Sequence, residues 1–261
     1  MNTAMTNQEI LDIAMQQSAV DLGCDPADFR KHQPVIVQAG ISPDARKYLK
    51  QPFAANFVSY GSNIVASANA CLKDAVSAYL EKYPLIHSFE PPHLHVLHEA
   101  ITPLGYGVGT TSEYWLPDVN SLHPLSCGYE LCILTHGDFA SLYLPQWSNA
   151  LCEKRAELDV LGVGAYDGER LIGLAGCSAD CDTMWQIGID VLPEYRRKGI
   201  AAALTSRLAV EILQRDKVPF YCCAWCNLAS ARNAVKSGFR PAWTEMQADS
   251  LEHIAAMNAA E

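Results

Sequence analysis

Two hydrophobic rhythms share this chain, one of helical period and one alternating. Ile10, Leu11, Ile13, Ala14 and Val20 form one face of an amphipathic helix expected over residues 4–20. Asp25-Pro26-Ala27-Asp28-Phe29 reads as a capped turn entering a short helix. Residues 34–38, 57–60 and 63–67 carry strand-like apolar runs, with Gly61-Ser62 turning between the last two. Leu72, Val76 and Leu80 recur every four residues and predict a helix that Pro84 stops. Pro91-Pro92 opens another, over 94–104, with Leu94, Leu97 and Ile101 on one side. Residues 110–117 then read as a strand.

A weakly patterned stretch at 118–127 separates this half from the next and is the expected linker between domains 1–125 and 126–261. Beyond it the pattern predicts a strand at 129–135, a short helix at 136–144 and a second helix at 147–157. Strands follow at 160–166 and 170–178, joined by the hairpin signal Asp167-Gly168. Residues 184–191 alternate as a partly buried strand, ended by Pro193. Ile200, Leu204, Leu208, Ile212 and Leu213 predict a long helix, and 220–225 a core strand.

Composition narrows the function classes. The chain has 261 residues, 49% hydrophobic and 18% charged, enough for a sizeable core and two soluble domains. A net charge of −10 argues against a nucleic-acid partner and favours a cationic or amine substrate. No apolar run is long enough to span a bilayer, and the N-terminus lacks the basic and apolar regions of a secretory signal. A cytoplasmic protein with no membrane partner is expected. The ten cysteines then read as reduced thiols. Cys223-x-x-Cys226 with Cys177 and Cys181 has zinc-like spacing, but Cys223 lies in the core strand rather than a knuckle, so no metal is expected. His93, His95 and His98 at a helix start are read as ordinary surface histidines.

The chemistry concentrates at Arg196-Arg197-Lys198-Gly199-Ile200-Ala201, between a strand and a helix. Gly199 lets a ligand approach the backbone, the first helical amides are unpaired, and three cations sit beside them. That combination suits a diphosphate. The run resembles the acetyl-CoA signature of the GNAT N-acetyltransferase superfamily, Arg/Gln-x-x-Gly-x-Gly/Ala, through Arg196, Gly199 and Ala201. A second likeness is Asn227-Leu-Ala-Ser230 followed by Gly238-Phe239. The resemblance covers about 129–246.

It implies an α/β (α+β) fold: a mixed, mainly antiparallel sheet flanked by helices, with an additional N-terminal α/β domain. The helix, Gly-aromatic and strand order at 94–117 echoes 227–246, so the N-terminal half reads as a degenerate relative that shapes the acceptor cleft or mediates homodimerisation. The resemblance also implies that Ile189 and Val191 meet the pantetheine arm through main-chain atoms. Arg197, Lys198, Gly199, Ile200 and Ala201 would cradle the diphosphate, with Arg196 on phosphate or capping the loop. Asn227 would contact the cofactor near the thiol. Gly188, inside a strand, reads as a bulge residue.

The implied reaction is attack of a neutral amine, from a small molecule or peptide, on the acetyl-CoA thioester. The Ile189 backbone is the candidate oxyanion donor. Glu153, Glu157 and Asp190 are candidate bases. The family's usual proton-donating tyrosine falls at Ala234 here, leaving Tyr221, Cys222 or Asn233 to replace it. Trp147, Trp185 and Trp225 either line an acceptor pocket or belong to the core. Three functions follow: an acetyl-CoA-dependent N-acetyltransferase, an acyl-CoA-binding regulator without turnover, and a metal or thiol-redox protein.

Overall fold

The computed structural model describes residues 5–259; the first residue of the helix expected over 4–20 lies outside them. The described residues form two compact units, 5–14 with 114–241, and 15–113 with 242–259. The chain crosses between them within three elements: helix α1 (Asn7–Leu22), strand β4 (Tyr106–Pro117) and strand β10 (Phe239–Ser250). Residues 242–259 therefore group with the N-terminal stretch.

In the unit built on 15–113, strands β1 (Val35–Gln38), β2 (Ala55–Ser59) and β3 (Val65–Ala68) join β10. The β1–β3 pair is parallel, and the β2–β3 and β2–β10 pairs are antiparallel. Ala55, Phe57, Ala66, Ala68, Met246 and Ala248 share one sheet face. That face is buried under α2 (Lys73–Lys82) and α3 (Pro91–Ile101) through Leu72, Val76, Leu80, Leu97 and Ile101. The spacing of four along α2 is what makes that face continuous.

In the unit built on 114–241, β5 (Glu130–Thr135), β6 (Asp159–Asp167), β7 (Arg170–Ser178) and β8 (Met184–Val191) pair antiparallel in sequence order. Strand β9 (Val218–Ala224) then adds parallel to β8. Helix α4 (Ile200–Leu213) packs its Ile200, Leu204, Leu208 and Ile212 stripe into the core of Val163, Ala165, Ile172, Ala175 and Ile187. Helix α5 (Leu228–Lys236) follows β9, and α6 (Leu251–Ala259) follows β10 in the other unit. The mixed, mainly antiparallel sheet flanked by helices is the architecture the resemblance implied.

Two expectations need correction. The helices expected at 136–144 and 147–157 are only short 3₁₀ turns, at His136–Asp138, Pro145–Trp147 and Glu153–Leu158. Gly137 and Pro145 interrupt the run, and Arg155 leaves helical geometry at φ −138°. The segment is still anchored, since Phe139, Trp147, Ala150 and Leu151 bury against Leu134 and Leu174. Gly188 is not a bulge: it pairs in regular register with Gly176. The irregularities lie between β6 and β7, at Asp159/Leu161 and Ala165/Tyr166. Glycine is required at 188 for another reason. A Cβ there would collide with the Asn149 carbonyl oxygen, and one at Gly176 with that of Ala150. The 149–150 backbone lies directly on the sheet.

Candidate active site

The parallel pairing of β8 with β9 runs from Met184↔Val218 to Gln186↔Phe220. Past that register the two strands part, and a cavity of about 620 Å³ lies against Ile189–Val191 on one side and Tyr221 on the other. The head of α4 and one face of α5 complete its lining.

The loop that enters α4 is shaped for an anion. Arg197 adopts φ 64° and Gly199 φ 82°, two left-handed residues that curl the backbone. For arginine that conformation is uncommon and costs roughly 1–2 kcal/mol. Gly199 caps α4 without a side-chain hydrogen bond, so the first helical amides have no side chain to satisfy them. A Cβ on Gly199 would meet only the Lys236 Nζ, at 4.0 Å, so the approach to its backbone is open.

The cations divide by role. Arg196 Nε donates to the Val191 carbonyl at 3.1 Å and ties the loop to the end of β8. Lys198 does not line the cavity: its Nζ lies 4.7 Å from the Tyr195 ring centroid and 3.3 Å from the Tyr129 hydroxyl. Arg197 does line it, and α5 adds Arg232 and Lys236. Among the described residues, none of Arg196, Arg197, Arg232 and Lys236 has an ion-pair partner. Four uncompensated cations around one cavity, in a chain of net charge −10, make a local positive field. A glycine-opened loop, unpaired amides and cations fit the diphosphate of a coenzyme A.

The remaining expected residues fall into place as follows. Tyr221 is 3% exposed and lines the cavity. Burial raises its phenol above the ordinary range, and the Ser230 and Asn233 side chains oppose that shift. Asn233 Nδ2 also donates to the buried Thr205 Oγ1 at 3.0 Å. Ala234, at the position of the family's tyrosine, is wholly buried.

Asp190 lines the cavity, but its oxygens hold the neighbouring loop. Oδ2 accepts the amides of Asn149 and Ala150 at 2.9 and 3.0 Å, and Oδ1 accepts Asn149 Nδ2 at 2.7 Å. Glu153 and Glu157 are exposed and outside the lining. Asn227 caps α5, its Oδ1 accepting the Ser230 amide at 3.1 Å, and is outside the lining too. Trp147 belongs to the core under β5–β7, and Trp185 packs against the main core.

Sequence reasoning missed Asn149, Tyr195, Arg232 and Lys236 as lining residues. For Arg232 and Lys236 a signal was present, two cations one helical turn apart after Asn227. His95 pairs with Glu99 at 3.1 Å, and His98 Nδ1 accepts the Val108 amide at 3.2 Å. No group of three or more His, Cys, Asp or Glu among the described residues is arranged to hold a metal ion.

A family model described as GNAT acetyltransferase matches residues 119–243, and this C-terminal region belongs to the GNAT superfamily. Among solved structures, a GNAT-family acetyltransferase from Novosphingobium aromaticivorans is 19% identical, with TM-score 0.42, covering 56% of this chain and 68% of its own. A GCN5-related N-acetyltransferase-like protein from Streptococcus suis is 18% identical, with TM-score 0.44, covering 60% and 69%. A Drosophila protein is 12% identical, with TM-score 0.43, covering 94% and 90%. No curated protein matches the chain. The family supports an acetyltransferase-type enzyme. No described helix is long and apolar enough to cross a membrane.

Proposed function

We propose that residues 119–243 bind acetyl-CoA and pass its acetyl group to a primary amine on a small molecule or peptide. The observation that supports this most is the coincidence of the β8–β9 divergence with the left-handed loop at the head of α4. Bound acetyl-CoA supplies an activated thioester. The amides of Gly199–Ala201 and the Arg197 guanidinium hold its diphosphate. The gap between Ile189–Val191 and Tyr221 takes the pantetheine arm. The Ile189 amide is assigned the developing oxyanion.

Tyr221, which lines the cavity, is assigned the role of the missing tyrosine of α5. Burial raises its phenol above the ordinary range, so it holds a proton to give the departing thiolate. The amides of Asn149 and Ala150 hold Asp190, which positions the 149–150 segment. The amine's proton is therefore assigned to water. The reading takes a cytoplasmic enzyme with no nucleic-acid or membrane partner, and leaves homodimerisation to the rest of the chain.

Gly199→Glu tests the assignment, because it puts a negative charge at the diphosphate. Calorimetric titration with CoA should show binding lost, with circular dichroism confirming that the fold survives. Unchanged affinity would remove the cofactor assignment. A second reading, an acyl-CoA-binding regulator, is favoured by Ala234 alone. Steady CoA release from acetyl-CoA across an amine panel separates the two.

A further inference from the structure

We infer that Lys236, on the last turn of α5, closes the anion site from the side opposite the loop, so that the diphosphate is held between two helices. The inference rests on the CoA reading above. Three observations carry it. The Lys236 Nζ sits 4.0 Å from where a Gly199 Cβ would be, directly over the backbone that must receive the phosphates. The same side chain lines the cavity together with Arg197 and Gly199. It has no ion-pair partner among the described residues, although an acidic chain offers many carboxylates.

A lysine in the last turn of a helix is expected to lean on the terminal carbonyls of that helix. This one reaches across to the start of α4 instead. Arg196 and Lys198, the neighbouring cations in the loop, are engaged with the Val191 carbonyl and the Tyr129 and Tyr195 side chains. Arg197 alone of the loop's three cations is left to face the anion, and Lys236 supplies the second positive charge that a diphosphate calls for. An ammonium is the suitable group: a flexible point charge can serve either phosphate as the ligand seats.

The site therefore has two parts with separate origins. The loop and the amides come from one sequence motif, and the clamp comes from a helix 37 residues after Gly199. Binding should depend on both.

The test is calorimetric titration of the full chain with three probes: CoA, dephospho-CoA and pantetheine. Dephospho-CoA keeps the diphosphate and lacks the 3′-phosphate; pantetheine carries no phosphate. Loss of one charge-assisted contact in Lys236→Ala should weaken CoA by roughly 10- to 100-fold. Lys236→Glu should weaken it further, and Lys236→Arg should retain most of the affinity. The Lys236→Ala loss should be the same for dephospho-CoA as for CoA, and pantetheine should not distinguish the variants. A loss seen with CoA but not with dephospho-CoA would place the lysine on the 3′-phosphate and overturn the inference. So would affinities within twofold of the parent for Lys236→Ala and Lys236→Glu. If the parent chain binds neither CoA nor dephospho-CoA, the acetyl-CoA reading itself falls. If the parent binds and Gly199→Glu abolishes it while Lys236→Ala does not, only the clamp falls.

Discussion

Two sites, one in each unit, use positive charge in opposite ways. In the unit built on 15–113, Arg46 is 2% exposed and wholly paired. Its Nε meets Asp21 Oδ2 at 2.5 Å and its Nη2 meets Glu245 Oε1 at 2.9 Å, while Tyr48 and Trp243 supply rings and hydrogen bonds. One guanidinium thus ties together α1, the 42–49 stretch and β10. In the unit built on 114–241, the cations of the cavity are solvent-facing and unpaired. Burying an ion pair costs several kcal/mol of desolvation per ion, recovered only when every partner is in place. Leaving a surface cation unpaired costs little, and keeps it available for an anion from outside. The first arrangement fixes a fold; the second prepares a site.

The sharpest break of that comparison is Arg46→Ala against Arg197→Ala. The first strands two buried carboxylates and should destabilise its unit by about 3–5 kcal/mol. The second should change stability by no more than about 0.5 kcal/mol, since it removes an exposed side chain, yet weaken CoA binding. Urea unfolding of both variants beside CoA titration reads both halves. Equal stability losses would show that Arg197 is structural too.

Gly188→Ala sharpens the comparison with a middle-sized effect. The 114–241 unit relies on close backbone approach, with the Asn149 and Ala150 carbonyls on Gly188 and Gly176. A methyl group at 188 must lift that segment, at about 1–3 kcal/mol. Lifting it also disturbs the Asp190 bonds to Asn149 and Ala150 at the cavity wall. Thermal melting should show the loss, and CoA titration a weaker affinity. A variant that melts like the parent would mean the segment moves without resistance.

How much of this was legible in the sequence follows from which interactions are local. The strand, loop and helix of 184–213 were readable because period, proline and glycine all lie within thirty residues. The same locality pointed to Arg197 and Gly199, which line the cavity, though not to Arg196 turning back to Val191. The helices expected at 136–157 failed because apolar spacing there serves burial of Phe139, Trp147 and Leu151 under the sheet, in 3₁₀ turns rather than α-helix. Gly188 was noticed for the right residue and the wrong reason, since its neighbour Asn149 lies 39 positions away and no local pattern reports it. Asp190 looked like a base because a strand carboxylate near a phosphate loop is conspicuous. Only the fold brings in the Asn149 and Ala150 amides that hold it. The Arg46 triad was invisible for the same reason, as Asp21, Arg46 and Glu245 share no local motif.

The smallest effect concerns a buried acid of the 114–241 unit that, unlike Asp180 with Arg155, is held without a bonded guanidinium. Asp159 is 1% exposed, buried as Asp21 is in its own unit, but its bonded partners are of another kind. Its Oδ2 accepts the Cys152 amide at 2.8 Å and its Oδ1 the Ser178 hydroxyl at 3.2 Å, with no bonded guanidinium. Burial accordingly raises its carboxyl above the ordinary 3.8, although those hydrogen bonds and the charge of Arg155 oppose the shift. The sign then follows from linkage. Below the unfolded value both states are protonated there, and the site contributes its full stability. As pH rises through the raised folded value, the unfolded chain gives up its proton first and stability falls. Asp159→Asn carries no such proton, so the difference in unfolding free energy between parent and variant should drift against the parent as pH climbs from below 3.8, then level off. Urea unfolding at a series of acidic pH values measures that drift. A difference that moves the other way would mean that Arg155 and the hydrogen bonds outweigh burial.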